Sequence, residues 1–185
     1  ARTHPQKVIL LIDTYDTERG AERIVRLAPQ LRREGIALHG VRLDSGDLAE
    51  HARKVRAILD SGGLKHVTIF ASGGIDEIQL RALTRGKAPI DGYGIGTSLA
   101  TSSDAPALDC AYKLQEYAGV ARRKLSEGKA TWPGRKQVWR RYRAKGIMAG
   151  DTLSLEDDRQ AGRPLLQPVM RNGRLLHALP ELQDA

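Results

Sequence analysis

The amino-acid sequence predicts an α/β protein built on a parallel sheet and followed by a β-rich segment. Three observations carry that prediction. Short apolar runs recur over residues 8–12, 37–41, 67–70 and 92–95. Each leads into a polar tip, and the successive tips at Asp13, Asp44, Ser72 and Gly96 stand about 24 to 31 residues apart, the length of one strand-helix-strand unit. After Asp104 the pattern changes to short alternating runs punctuated by turn residues, the language of antiparallel strands.

The four runs are continuously apolar, as strands buried on both faces of a parallel sheet would be. Between them the apolar positions take helical spacing: Ile24, Val25, Leu27, Ala28 and Leu31 form one stripe, and Leu48, Ala52, Val55, Ile58 and Leu59 a second. Gly35 and Gly62 stand where left-handed caps would close these helices. A third, shorter helix is predicted over 75–84, ended by Gly86. Four such units amount to half of an eight-stranded barrel or to most of a small doubly wound sheet. Both architectures take ligands at the carboxyl ends of their strands, where this sequence concentrates its polar residues. Further on, Tyr112, Leu114 and Glu116 alternate ahead of Ala118 and Gly119, and a second run covers 120–125. Trp132, Pro133 and Gly134 read as a turn. Val169, Met170 and Arg171 face Arg174, Leu175 and Leu176 across Asn172-Gly173, the favoured two-residue hairpin turn. The chain thus divides into 1–104 and 105–185. The second part is too poor in apolar runs to bury much alone and is expected to pack on the first or on a further domain.

With 185 residues, 41% of them hydrophobic, the chain is long enough for a real core. One cysteine, Cys110, excludes an internal disulfide framework, and no apolar run approaches the roughly 20 residues of a membrane helix. The first apolar stretch runs straight into acids, unlike a secretory leader, so a cytoplasmic protein is expected. The chain opens on Ala1 rather than Met, the start expected of a truncated or processed chain. A net charge of +8 raises nucleic-acid binding as a reading. Its distribution opposes that. Arg19, Arg23, Arg26, Arg32 and Arg33 lie along one predicted helix as solvated surface, and one Phe, two Trp and five Tyr offer little for base stacking. One dense run of basic residues extends from Arg122 to Lys145, positive enough to draw in a small phosphorylated substrate.

Four strand-end motifs carry the chemistry. The first gathers Asp13, Thr14, Asp16 and Thr17 in one turn, where carboxylates hold Mg²⁺ or ribose hydroxyls; Asp13 is the functional candidate, and Asp16 or Thr17 the helix cap. In the second, Arg42 and Asp44 stand two apart and so point to one side, able to reach one ligand. Arg42 offers a flat guanidinium for an aromatic ring or carboxylate, Asp44 a charge for a sugar hydroxyl or a developing cation, and Ser45 a hydroxyl beside them. Asp47 reads as the cap of the following helix. The third and fourth motifs, Ser72-Gly73-Gly74 and Gly94 to Thr97 through Gly96, allow the backbone to approach a phosphate, and two in succession strengthen that reading. The five histidines are scattered without metal-ligand spacing, so no metal site is expected, and Cys110 has no base near it in sequence.

The stretches LIDTYDT, GVRLDSGDL, ASGGIDE, GYGIGTSLATSSDAPALD, YKLQEYAG and RRKLSEGKATWPGRKQVWR, in this order, resemble the C-terminal part of the nicotinate phosphoribosyltransferases. The resemblance implies a partial (β/α) barrel of the type II phosphoribosyltransferase kind. It implies nicotinate and phosphoribosyl pyrophosphate as substrates, Mg²⁺, ATP as co-substrate, and a homodimer without nucleic acid or membrane. By the same resemblance Arg42 contacts the pyridine ring and Asp44 the ribose, while Ser72, Gly73, Gly74, Gly94, Gly96 and Thr97 hold the 5′-phosphate. The family's phosphorylated histidine would lie upstream of Leu11, so this chain by itself is expected not to turn over. A nicotinamide-using enzyme and a non-catalytic phosphate-binding module are the alternatives.

Overall fold

The computed structural model describes residues 1–104, 107–108, 110–181 and 183. Ala105, Pro106 and Asp109, at the end of the fourth family-like stretch, lie outside the described residues. The chain forms two compact units: Ala1–Lys113 with Arg123–Trp132, and Leu114–Arg122 with Pro133–Ala185.

In the first unit the elements alternate: β1 (Val8–Leu11), α1 (Thr17–Arg33), β2 (Leu38–Leu43), α2 (Leu48–Ser61), β3 (Thr68–Ala71), α3 (Glu77–Arg85), β4 (Gly92–Tyr93) and α4 (Thr97–Ala100). The four strands make one sheet in chain order, every pair parallel, with Leu43 registered on Ala71. Each longer helix starts on an aspartate whose carboxylate accepts a backbone N–H three residues on: Asp16 from Arg19 at 2.8 Å, Asp47 from Glu50 at 2.9 Å and Asp76 from Gln79 at 2.7 Å. The inward stripes of α1 (Ala21, Ile24, Ala28, Leu31) and α2 (Ala52, Val55, Leu59) close over Val41, Leu43 and Ile69 to form the core.

Several details depart from the sequence reading: the third helix begins at Glu77 behind the Asp76 cap rather than at residue 75, and the fourth strand covers only Gly92–Tyr93 of the run 92–95. Continuous apolar runs suggested strands buried on both faces, yet only one face is covered. Val41, Leu43, Ile69 and Ala71 are fully buried, whereas Ile9 (48% exposed) and Leu11 (43%) line the opposite face beside Arg42 and Phe70. The buried residues of the three long helices pack on the first face, and among the described residues the second face stays partly exposed. The cap of α2 also shifts by one. Gly62 has an ordinary φ of −80° and lies tight against Val25, and the left-handed residue is Gly63, φ 74°.

Gly20 makes the packing of α1 testable. Glycine inside a helix normally costs about 1 kcal/mol relative to alanine. Here an added Cβ would stand 2.3 Å from the Ile12 carbonyl oxygen, a backbone atom of the β1 end. Gly20→Ala is therefore expected to destabilise the protein by about 2 kcal/mol, with the sign reversed from helix propensity; a raised urea midpoint would show that α1 is not pressed onto the strand.

The second unit is antiparallel. β5 (Glu116–Tyr117) and β6 (Val120–Ala121) turn through Ala118 and Gly119, and β10 (Met170–Arg171) and β11 (Arg174–Leu175) through Asn172 and Gly173. Both turns have two left-handed residues, as the primed hairpin turn requires. Its largest piece lay hidden in the basic run: β7 (Lys136–Tyr142) pairs with β8 (Met148–Leu155) and with β9 (Arg163–Pro164). Arg140 faces Asp151 across β7 and β8 in a two-pronged ion pair of 2.9 and 2.8 Å, and Trp139 Nε1 donates to the buried Ser154 Oγ at 3.0 Å. Among the described residues no helix is long and apolar enough to cross a membrane.

Candidate functional site

Where each strand of the first unit ends, its hydrogen-bonded ladder continues in side chains. Asp13 follows β1 and is almost completely buried (3% exposed). Its Oδ2 accepts the backbone N–H of Asp44 at 2.8 Å and the hydroxyl of Ser45. One residue past β2, Asp44 is in turn engaged on both carboxylate oxygens. Ser72, just past β3, donates its hydroxyl to Oδ1 at 2.7 Å, and Lys129 Nζ donates to Oδ2 at 2.6 Å and to the Asp44 carbonyl. The Ser72 amide reaches back to the Leu43 carbonyl at 2.8 Å, and the Gly94 amide to that of Ala71, also 2.8 Å. Four successive strand ends are thereby tied side by side.

Charge follows from this geometry. Partial burial works against ionisation of Asp44, but the hydrogen bonds from Lys129 and Ser72, with the positive charges of Lys129 and Arg42, outweigh it and hold the carboxyl below its ordinary range. Asp44, Ser45, Ser72, Gly73 and Lys129 line a cavity of about 480 Å³ whose floor is Leu48, Ala49, Ala82 and Leu83. A carboxylate fixed as an anion, hydroxyls and a cation around one opening can grip a polyhydroxylated, phosphorylated ligand.

Of the residues singled out in the sequence, Asp13, Asp44, Ser45 and Ser72 form one hydrogen-bonded set. Gly73 packs on the Asp44 backbone, and Gly94 lies beside Ser72: a Cβ on it would stand 3.3 Å from that of Ser72. Gly74 takes a left-handed φ of 73°. Gly96 precedes α4 without a side-chain cap, and Thr97 opens that single turn, both exposed. Arg42 differs from expectation. Its side chain lines the open sheet face with Ile9, Leu11 and Phe70, not the cavity of Asp44. The reason is that β2 stops at Leu43, so the side-to-side alternation linking positions 42 and 44 ends before Asp44, which Asp13, Ser72 and Lys129 pull aside.

Sequence reading missed Lys129, Ser126, Glu127 and His51. Segment Arg123–Trp132 belongs to the first unit, and Ser126 donates to the Thr14 carbonyl at 3.2 Å. His51 lies between Glu18, 2.9 Å from Nδ1, and Glu127, 3.2 Å from Nε2. The only sequence signal was the density of basic charge around Lys129, which does not say which lysine meets which acid.

Fold and site together define an α/β protein that presents an anchored carboxylate, a lysine and glycine turns at the ends of parallel strands. No protein-family model matches the chain. Nicotinate phosphoribosyltransferase pncB2 of Mycobacterium tuberculosis is 49% identical over 187 aligned positions, covering 100% of this chain and 40% of the relative. Nicotinate phosphoribosyltransferase of Bacillus subtilis is 38% identical over 166 positions, 85% of this chain and 34% of the relative. The crystal structure of human nicotinic acid phosphoribosyltransferase aligns with a TM-score of 0.48 at 28% identity, over 100% of this chain and 40% of that one. The chain is similar to pncB2 over its whole length and spans about two fifths of that relative.

Proposed function

We propose that this chain supplies phosphoribosyl-binding strand ends to a nicotinate phosphoribosyltransferase, the enzyme of NAD salvage that joins nicotinate to phosphoribosyl pyrophosphate. The observation that carries the reading is the Asp13–Asp44–Ser72–Lys129 set beside the Gly73-Gly74 turn. The pyridine nitrogen forms a bond to the anomeric carbon while the bond from that carbon to the pyrophosphate oxygen breaks, and positive charge develops on the sugar. An ionised Asp44 next to the ribose stabilises that charge more in the transition state than in the ground state. Asp13, buried, acts through Asp44 by fixing its backbone. In this reading the amides around Ser72, Gly73, Gly74, Gly94, Gly96 and Thr97 hold the 5′-phosphate, and Arg42 on the open sheet face meets the pyridine ring or its carboxylate.

Mg²⁺ enters as part of the substrate, on the diphosphate it neutralises. That assignment suits a site in which both oxygens of Asp44 are already hydrogen-bonded. ATP hydrolysis as the driving force, a partial barrel architecture completed by further strands, and a homodimer belong to the same reading. Full-length protein given nicotinate, phosphoribosyl pyrophosphate and Mg-ATP is expected to form nicotinate mononucleotide and pyrophosphate in equal amounts and to prefer nicotinate over nicotinamide in competition. No mononucleotide, or a preference for nicotinamide, would sink the proposal.

A further inference from the structure

Asp44 depends on a lysine that the sheet does not carry. Lys129 arrives on the strap of residues 126–129, which three contacts fasten to the unit: Ser126 on the Thr14 carbonyl, Glu127 on His51, and Lys129 itself on Asp44. The middle contact is unusual. His51, on the first turn of α2 and mostly buried, has a carboxylate oxygen against each ring nitrogen, Glu18 of α1 on one side and Glu127 of the strap on the other. Ionised carboxylates only accept hydrogen bonds, so both nitrogens must donate, and only an imidazolium does that. The loop after Asp44 is packed onto this contact: a Cβ on Gly46 would stand 2.7 Å from His51 Nε2 and 2.6 Å from Glu127 Oε2.

We propose that His51, as an imidazolium shared between Glu18 and Glu127, is a positioning residue that holds the strap down so that Lys129 meets Asp44. The inference rests on the reaction proposed above, which needs Asp44 ionised and aimed. The charged groups around His51 are Glu18 from α1, Glu127 from the strap, and Glu50 and Lys54 from α2, with Asp47 at the start of that helix. Lys54 Nζ stands 2.5 Å from Glu50 and 3.9 Å from Glu18. Burial pushes the imidazole toward neutrality, but the hydrogen bonds and charges of Glu18 and Glu127 outweigh it and raise the pKa. A raised folded-state pKa gives a contribution that is complete below the unfolded-state pKa and lost as pH rises through the folded one. The strap therefore loosens on the alkaline side.

The test is a double-mutant cycle in the full-length protein, read by nicotinate mononucleotide formation and by carbon NMR titration of the Asp44 carboxyl. His51→Gln is expected to lower kcat/KM about tenfold, mainly in kcat, and to move the Asp44 titration back toward the ordinary aspartate value. In a Lys129→Ala background the same change is expected to have no further effect; losses that multiply in the double variant overturn the proposal. Glu127→Gln, at an exposed side chain, weakens the same tie from the strap side by removing its charge while keeping an acceptor oxygen. It is expected to shift the alkaline limb of the pH–rate profile to lower pH, because one carboxylate fewer holds the His51 proton. An unmoved limb together with an unchanged Asp44 titration also overturns it. If the wild type forms no mononucleotide, the proposed reaction fails, while the Asp44 titration still decides the role of His51.

Discussion

Asp44→Asn is expected to lower kcat/KM for nicotinate mononucleotide formation in the full-length protein by about 10²- to 10³-fold, the usual size of losing one preorganised charge that faces charge developing in a transition state. The loss belongs in kcat more than in either KM, since an amide still hydrogen-bonds a ribose hydroxyl but offers no anion to the anomeric carbon. The same substitution changes stability against acid. Lys129 and Ser72 hold the Asp44 carboxyl below its ordinary pKa against the opposing effect of burial, so the ionised group stabilises the fold fully above the unfolded-state pKa. That contribution is lost as pH falls through the lower, folded-state value. Urea midpoints measured from neutral to strongly acid pH should show a drop in the wild type that the Asn variant lacks in that window. A variant with wild-type kcat, or with the full acid drop, would remove Asp44 from the centre of the site.

The second large effect is expected at Gly73, where alanine meets two obstacles at once. Its φ of 104° lies where side chains are strained, and the new Cβ would stand 2.4 Å from the Asp44 carbonyl oxygen. Neither is relieved by rotating a flexible group, because the crowded atom is backbone already gripped by Lys129. Gly73→Ala is expected to cost about 3 kcal/mol or more in urea unfolding and to abolish binding of ribose 5-phosphate by calorimetry. Gly74→Ala is the useful comparison. Its φ of 73° carries the strain, but its Cβ meets nothing within 4 Å, so a cost of about 1 kcal/mol is expected. Equal costs at the two positions would show that the close approach to Asp44 contributes nothing.

The strand-helix rhythm was legible because each level of the sequence agreed with the next. Asp16 and Asp47 sit where helices must begin, the apolar stripes behind them have one helical period, and the polar tips fall between. Asn172-Gly173 specified its hairpin for a similarly local reason. Strands β7 and β8 were not legible. Their alternation is diluted by arginines such as Arg140, whose charge is balanced only by Asp151 across the pair, a partner that does not exist until the strands meet.

Asp44, Ser45 and Ser72 could be named from the sequence because a polar residue directly after a buried strand has few places to go in a parallel sheet. Their chemistry could not. Whether Asp13 faces a ligand or disappears beneath Asp44, whether Arg42 shares the cavity of Asp44, and which of many basic residues becomes its counter-ion depend on contacts between positions far apart in the chain. Lys129 reaches Asp44 across 85 intervening steps of sequence, and His51 joins Glu18 to Glu127 across three separate elements. By itself the sequence determined the order and type of the four strands and three longer helices of the parallel unit and the strand ends where polar groups gather, because caps, periodicity and turns act over a few residues. The tertiary structure alone decided which of those groups is buried, paired or charged, since burial and ion pairing are set by neighbours that only folding supplies.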